Sequence, residues 1–81
     1  MKHELKTRER FFQAAWVGDK TFEIRLNDRK FKERDEIVLL EIDESGEYTG
    51  REIEGIIKYL TDYKQKKGYV VFSFEPTFKK D

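Results

Sequence analysis

Apolar positions along the chain fall into short blocks separated by polar turns. Through Thr21-Phe-Glu-Ile-Arg-Leu26 the alternation has period two, with Phe22, Ile24 and Leu26 on one side and Thr21, Glu23 and Arg25 on the other. This predicts a half-buried strand whose second face is chemically loaded. Residues 36–42 form a more continuous apolar run containing Ile37, Val38, Leu39 and Leu40, and lead into Asp43-Glu-Ser-Gly46, a turn that ends in glycine. Residues 51–60 supply the return strand. Residues 69–74 form a final strand rich in aromatic and β-branched side chains.

Ahead of these lies a short strand at residues 3–6. Thr7 then serves as N-cap of a helix over residues 8–17, where Phe11, Phe12, Ala15 and Trp16 fall at helical spacing. Gly18 ends that helix as a residue that tolerates a left-handed conformation. Residues 63–68 read as a short polar loop and residues 75–81 as a tail that frays. The whole predicts one domain over residues 1–81, mixed α and β but mainly β, with about five strands and one helix inserted after the first. A small barrel or strongly curled sheet protects the edges of such short strands. Helical periodicity accounts for Phe11, Phe12 and Trp16 as core residues, which outweighs a base-stacking role for them.

Composition narrows the function classes. Charged residues make up 42% of the 81, yet the net charge is zero, which argues against a sequence-blind electrostatic nucleic-acid binder and leaves room for a local basic patch. The absence of cysteine removes disulfides, thiolate catalysis and cysteine-based zinc sites, and fits a reducing compartment. No apolar run near the amino terminus resembles a signal peptide or membrane span, so a cytoplasmic location without a membrane partner is expected. The single histidine, His3, cannot make a transition-metal site alone, so neither metal nor cofactor is expected. His3 reads first as a partly exposed strand residue and second as a site residue beside Glu4 and Lys6.

Glu23 and Arg25 stand on one strand face, about 6.5–7 Å apart along the chain. They form either a surface ion pair worth roughly 0–1 kcal/mol or a ligand site. In the latter, Arg25 takes phosphate or carboxylate and Glu23 accepts from base amino groups or orients the cation. Lys20, just after the Gly18 turn, can swing beside the helix terminus, where partial burial would suit it to general-base work. Asn27 and Asp28 form a turn signal first and a ligand element second, and Arg29 extends the positive side of the region. Lys64, Lys66 and Lys67 make a basic loop of the kind that is usually a solvated face. It also has the chemistry to track a phosphate backbone, with Tyr59, Tyr63 and Tyr69 as stacking surfaces. Arg51, after the Tyr48-Thr-Gly50 turn, reads as a hairpin brace.

The stretch Gly18-x-Lys20-x-x-Glu23-x-Arg25 matches the G-x-K-x-x-E-x-R pattern of ASCH domains at every fixed position. His3-Glu-Leu-Lys6, Asn27-Asp-Arg29 with Phe31, Tyr48-Thr-Gly-Arg51 and Gly68-Tyr-Val-Val71 extend the match over nearly the whole chain. The sequence thus resembles a bacterial and phage family within the PUA-like superfamily. The resemblance implies a small mixed β-barrel with a cleft between helix and barrel, lined by the lysine, glutamate and arginine of the pattern and open to RNA or nucleotide-like ligands. It also implies Gly-Asp where this chain has Arg34-Asp35, at a turn suited to positive φ, and an arginine there either strains the turn or changes its type.

Two alternatives stand beside binding. One is a small hydrolase of a modified nucleoside, with Lys20 and Glu23 as the working pair. The branch of the superfamily that deacylates cytidine has Lys-Thr-x-Thr-x-Arg, with the second threonine as nucleophile, whereas this chain has Glu23 there and keeps only Thr21. That branch also draws a glutamate from a helical insertion after the fourth strand, where this chain has a short loop. The resemblance therefore favours binding over catalysis. The other alternative is a phage-related module that binds a protein partner.

Overall fold

A computed structural model describes residues 1–81. Five strands and one helix follow in the order β1 (Lys2–Arg8), α1 (Glu9–Trp16), β2 (Phe22–Leu26), β3 (Glu36–Ile42), β4 (Tyr48–Thr61) and β5 (Tyr69–Lys80). The strands form one sheet in the order β1-β3-β4-β5-β2, with β1 parallel to β3 and the other neighbours antiparallel. The sheet curls into a half-barrel, and β1 and β2 are its two unpaired edges. The expected mainly β fold with a helix after the first strand is the one observed.

Curvature comes from two register shifts in the β4–β5 ladder, between Glu54 and Gly55 and between Ile57 and Tyr59. At Gly55 a Cβ would lie 2.8 Å from the Glu75 carbonyl oxygen, so only glycine lets the strands approach this closely. The same ladder corrects the expected tail. Residues 75–80 pair with Glu52–Ile56, and Lys79 Nζ donates to the Trp16 carbonyl at 2.5 Å, which satisfies an orphan acceptor at the helix end.

The core is built from inward residues of four strands, Leu5 of β1, Ile37 and Leu39 of β3, Ile53 and Ile57 of β4, and Val70, Phe72 and Phe74 of β5, closed by Phe12 and Ala15 of α1 and by Phe31. Two expectations change at the helix. Thr7 is not the N-cap; it lies in β1, buried, with its hydroxyl donating to the Leu5 carbonyl, and Arg8 precedes the first helical residue without a side-chain cap. Phe12 is fully buried and Trp16 packs on it, but Phe11, one position further round the helix, is 41% exposed. Gly18 does end the helix, with φ +89°, as expected of a C-terminal glycine.

His3 is buried rather than partly exposed. Its Nε2 lies 2.8 Å from Asp35 Oδ2, and its ring meets Phe31 edge-on at 4.8 Å. Asp35 also accepts from the Lys32 N–H at 3.1 Å, which fixes the turn into β3. Within that turn Arg34 adopts φ +78°, so the arginine sits in the left-handed region. Hydrogen bonds from Arg34 N–H to the Ile57 carbonyl and from Ile57 N–H to the Asp35 carbonyl hold it there. An L side chain in this region costs about 1–2 kcal/mol, part of which glycine returns through its freer unfolded chain. Arg34→Gly is therefore expected to raise stability by about 0.5–1 kcal/mol, a gain of roughly 3–6 °C in Tm for a domain of this size. Thermal unfolding by circular dichroism checks this, and an unchanged or lower Tm contradicts it.

Candidate binding cleft at the open seam

The backbone hydrogen bonds define which groups face the gap between the two edge strands. Met1 O accepts from Glu36 N–H, so the odd-numbered backbone groups of β1 point toward β3 and those of Glu4 and Lys6 point off the edge. On β2, Thr21 O accepts from Phe74 N–H and Asn27 N–H donates to Gly68 O, which turns the backbone of Phe22 and Ile24 outward in the same way. Side chains close part of this seam. Arg25 donates to the Lys6 carbonyl at 3.1 Å, Arg29 to the Glu4 carbonyl at 2.6 Å, and Lys20 to the Phe22 carbonyl at 2.8 Å. Cationic side chains laid on edge carbonyls also block edge-to-edge pairing with another chain.

Strand β2 has the predicted period but the opposite orientation. Glu23 pairs across the sheet with Phe72 and Arg25 with Val70, both core residues, so the charged face looks inward. Phe22, Ile24 and Leu26 are the exposed side, at 44%, 55% and 48%. The physical reason is position: an edge strand beside an open seam has no apolar layer beneath it. Its inward residues need partners of their own. Glu23 supplies them, because its carboxylate, only 4% exposed, accepts from Lys20 on one oxygen and from Arg25 Nε at 2.9 Å on the other. Arg25 also reaches the Thr7 hydroxyl at 3.3 Å, which ties β2 to β1. The pair is therefore part of a triad around a buried carboxylate rather than a surface ion pair.

Around this triad lies a cleft of about 500 Å³, lined by Lys6, Thr7 and Arg8 of β1, Phe11 of α1, and Lys20 and Phe22–Arg25. Such a volume suits a small-molecule ligand. The cleft brings together Lys20, Glu23 and Arg25 as expected from the sequence. Three other candidates lie outside it. His3 packs against Asp35, Asn27 Oδ1 accepts from the Phe31 N–H at 2.8 Å and so fixes its turn, and Arg29 caps the β1 edge.

Sequence reasoning did not assign Lys6, Arg8, Phe11 and Phe22 to the site. Phe11 and Phe22 carried a signal only in being apolar residues that end up off the buried faces. Lys20 Nζ lies 5.9 Å from the Phe11 ring centre and 5.2 Å from that of Phe22, so the two rings flank the ammonium. A second buried ion pair lies away from the cleft. Arg51 Nε and Nη2 donate to the two oxygens of Glu41 at 2.9 and 2.7 Å, and its guanidinium stacks on Phe12 and Trp16. Arg51 thus braces the β3–β4 hairpin against the helix.

Fold and cleft together describe a small curled-sheet domain with a cationic, phenylalanine-flanked site at its open seam. Residues 2–74 match the family described as Domain of unknown function (DUF3850), and the chain belongs to that family. No curated protein matches it. No helix is long and apolar enough to cross a membrane.

Proposed function

We propose that this domain binds RNA or a nucleotide in the seam cleft. One observation carries the reading: the lining sets four cations, Lys6, Arg8, Lys20 and Arg25, against the single carboxylate of Glu23, with two exposed phenylalanine rings in the same depression. Within the triad, Glu23 offsets only one of its two partners, and Lys6 and Arg8 add to the surplus. Phosphate is the anion that such a lining suits, and a flat base can lie on Phe11 or Phe22. A net charge of zero is compatible with this, because the positive charge is local. The resemblance to ASCH domains points the same way.

The hydrolytic alternative gains nothing from the geometry. Both oxygens of Glu23 accept from cations, and no second carboxylate or histidine lines the cleft to act as its acid–base partner.

An NMR titration with adenosine and uridine 5′-monophosphates and short single-stranded RNA tests the proposal. Shifts are expected at Lys6, Arg8, Phe11, Lys20 and Phe22, and none of comparable size at His3. Phe11→Ala should weaken binding about tenfold or more, the effect of removing one stacking surface. Absence of shifts at the cleft residues sinks the proposal.

A further inference from the structure

A second depression adjoins the cleft at β2. This one is about 350 Å³ and is lined by Ile24, Lys64, Gln65, Lys66 and Tyr69. Ile24 lines both, so one side chain divides them. The second depression repeats the chemistry of the first in simpler form: two lysines, no carboxylate and an exposed aromatic ring. Its lysines sit on a turn that is already built. Gln65 N–H donates to the Asp62 carbonyl at 3.0 Å and Tyr69 N–H to the Lys66 carbonyl at 2.9 Å, while Lys64 itself is held at φ +60°.

The outer face of β2 connects the two. Phe22, Ile24 and Leu26 lie in a row, and across the ladder they oppose Ser73, Val71 and Tyr69. Alternate residues on a strand are about 7 Å apart, on the scale of one step along an extended nucleotide chain. A mononucleotide fills only one depression. We infer that the ligand is a single-stranded RNA segment of at least two nucleotides that runs along the outer face of β2 over Ile24. One nucleotide lies in the seam cleft, and the next lies against Tyr69 with its phosphate on Lys64 and Lys66. This inference rests on the nucleotide-binding reading of the cleft. Charge complementarity selects the occupant, since the two depressions together hold six cations and one carboxylate.

Binding of adenosine 5′-monophosphate, its 5′-phosphorylated dinucleotide and the tetranucleotide is measured by calorimetry at several salt concentrations, with wild type and the Lys64→Asn/Lys66→Gln variant. Asparagine tolerates the left-handed conformation of position 64. Affinity is expected to rise about tenfold from mono- to dinucleotide, as one further stacked base and phosphate are engaged. The salt dependence should steepen by about 0.7 in log–log slope for each added phosphate contact. In the variant the added salt dependence of the dinucleotide should vanish and its gain should shrink to what stacking on Tyr69 supplies, while mononucleotide affinity stays the same. Mononucleotide binding with no gain on lengthening overturns this inference and leaves the cleft reading intact. No binding of any of the three overturns both. Saturation of the Lys64–Tyr69 surface by an Asp- and Phe-containing peptide, with no oligonucleotide binding there, also overturns it.

Discussion

Replacing Glu23 with glutamine is expected to lower stability by about 2–3 kcal/mol, far more than an exposed ion pair would contribute. Glu23 is the only carboxylate in contact with Lys20 and Arg25, whose side chains are 17% and 26% exposed. The amide leaves those two cations close together without a counter-charge. Its own N–H groups would also face a donor. Removing one member of a buried charged cluster costs about 3–5 kcal/mol when the remaining charge is fully enclosed, and the partial exposure of both cations lowers that figure here. Urea unfolding checks this, and a loss below about 0.5 kcal/mol would return the triad to the class of screened surface pairs.

Removing the whole triad should have the opposite outcome. Lys20→Met/Glu23→Leu/Arg25→Met removes all three charges together, and apolar side chains of similar volume often replace buried ion clusters at little or no loss. This triple variant should recover most of the stability lost in Glu23→Gln. It should nevertheless bind no nucleotide. That combination separates what the triad does for the fold from what it does for the ligand. Recovery of stability together with intact nucleotide binding would show that Lys6 and Arg8 alone hold the phosphate.

What the sequence allowed to be read follows from which forces are local. Strand and helix periods and the Gly18 helix end depend on neighbours in sequence and were legible there, whereas the turn at Arg34 was not, because an arginine at such a position either strains the turn or changes its type. The orientation of β2 was not, because alternation defines two faces without saying which one meets the core. That choice was made by its register with β5, which sets Glu23 against Phe72 and Arg25 against Val70. Burial of His3 likewise depends on Asp35, 32 residues away, and order in the last residues depends on β4. The Lys20–Glu23–Arg25 part of the site was legible because it is contiguous. Phe11 and Phe22 were not, since an aromatic residue at the period of a helix or strand reads as core until the fold shows it exposed.

Glu41→Gln is the other substitution with a large expected effect, about 2–4 kcal/mol, or roughly 10–25 °C in Tm. Glu41 is 3% exposed and receives Arg51 on both oxygens as well as the Thr49 hydroxyl at 2.6 Å. An amide can accept from only some of these donors and sets its own N–H against the rest. The Arg51 guanidinium holds the Glu41 carboxyl below its ordinary value of 4.5, against the opposing effect of burial, with Thr49 adding to the depression. At Asp35 burial pushes upward, but hydrogen bonds from His3 and the Lys32 N–H leave that carboxyl below 3.8. Both pKa values are lower folded than unfolded, so the unfolded chain takes up protons first as the pH falls. The stabilisation is complete above about pH 5 and is lost progressively as the pH falls through the folded-state values. Urea unfolding at pH 7, 5, 4 and 3 should therefore show a flat upper limb and a falling acid limb in the wild type. Glu41→Gln starts lower and falls less steeply, because its share of the proton uptake is gone. Parallel acid limbs for the two proteins would mean that the Glu41–Arg51 pair contributes nothing to the pH dependence.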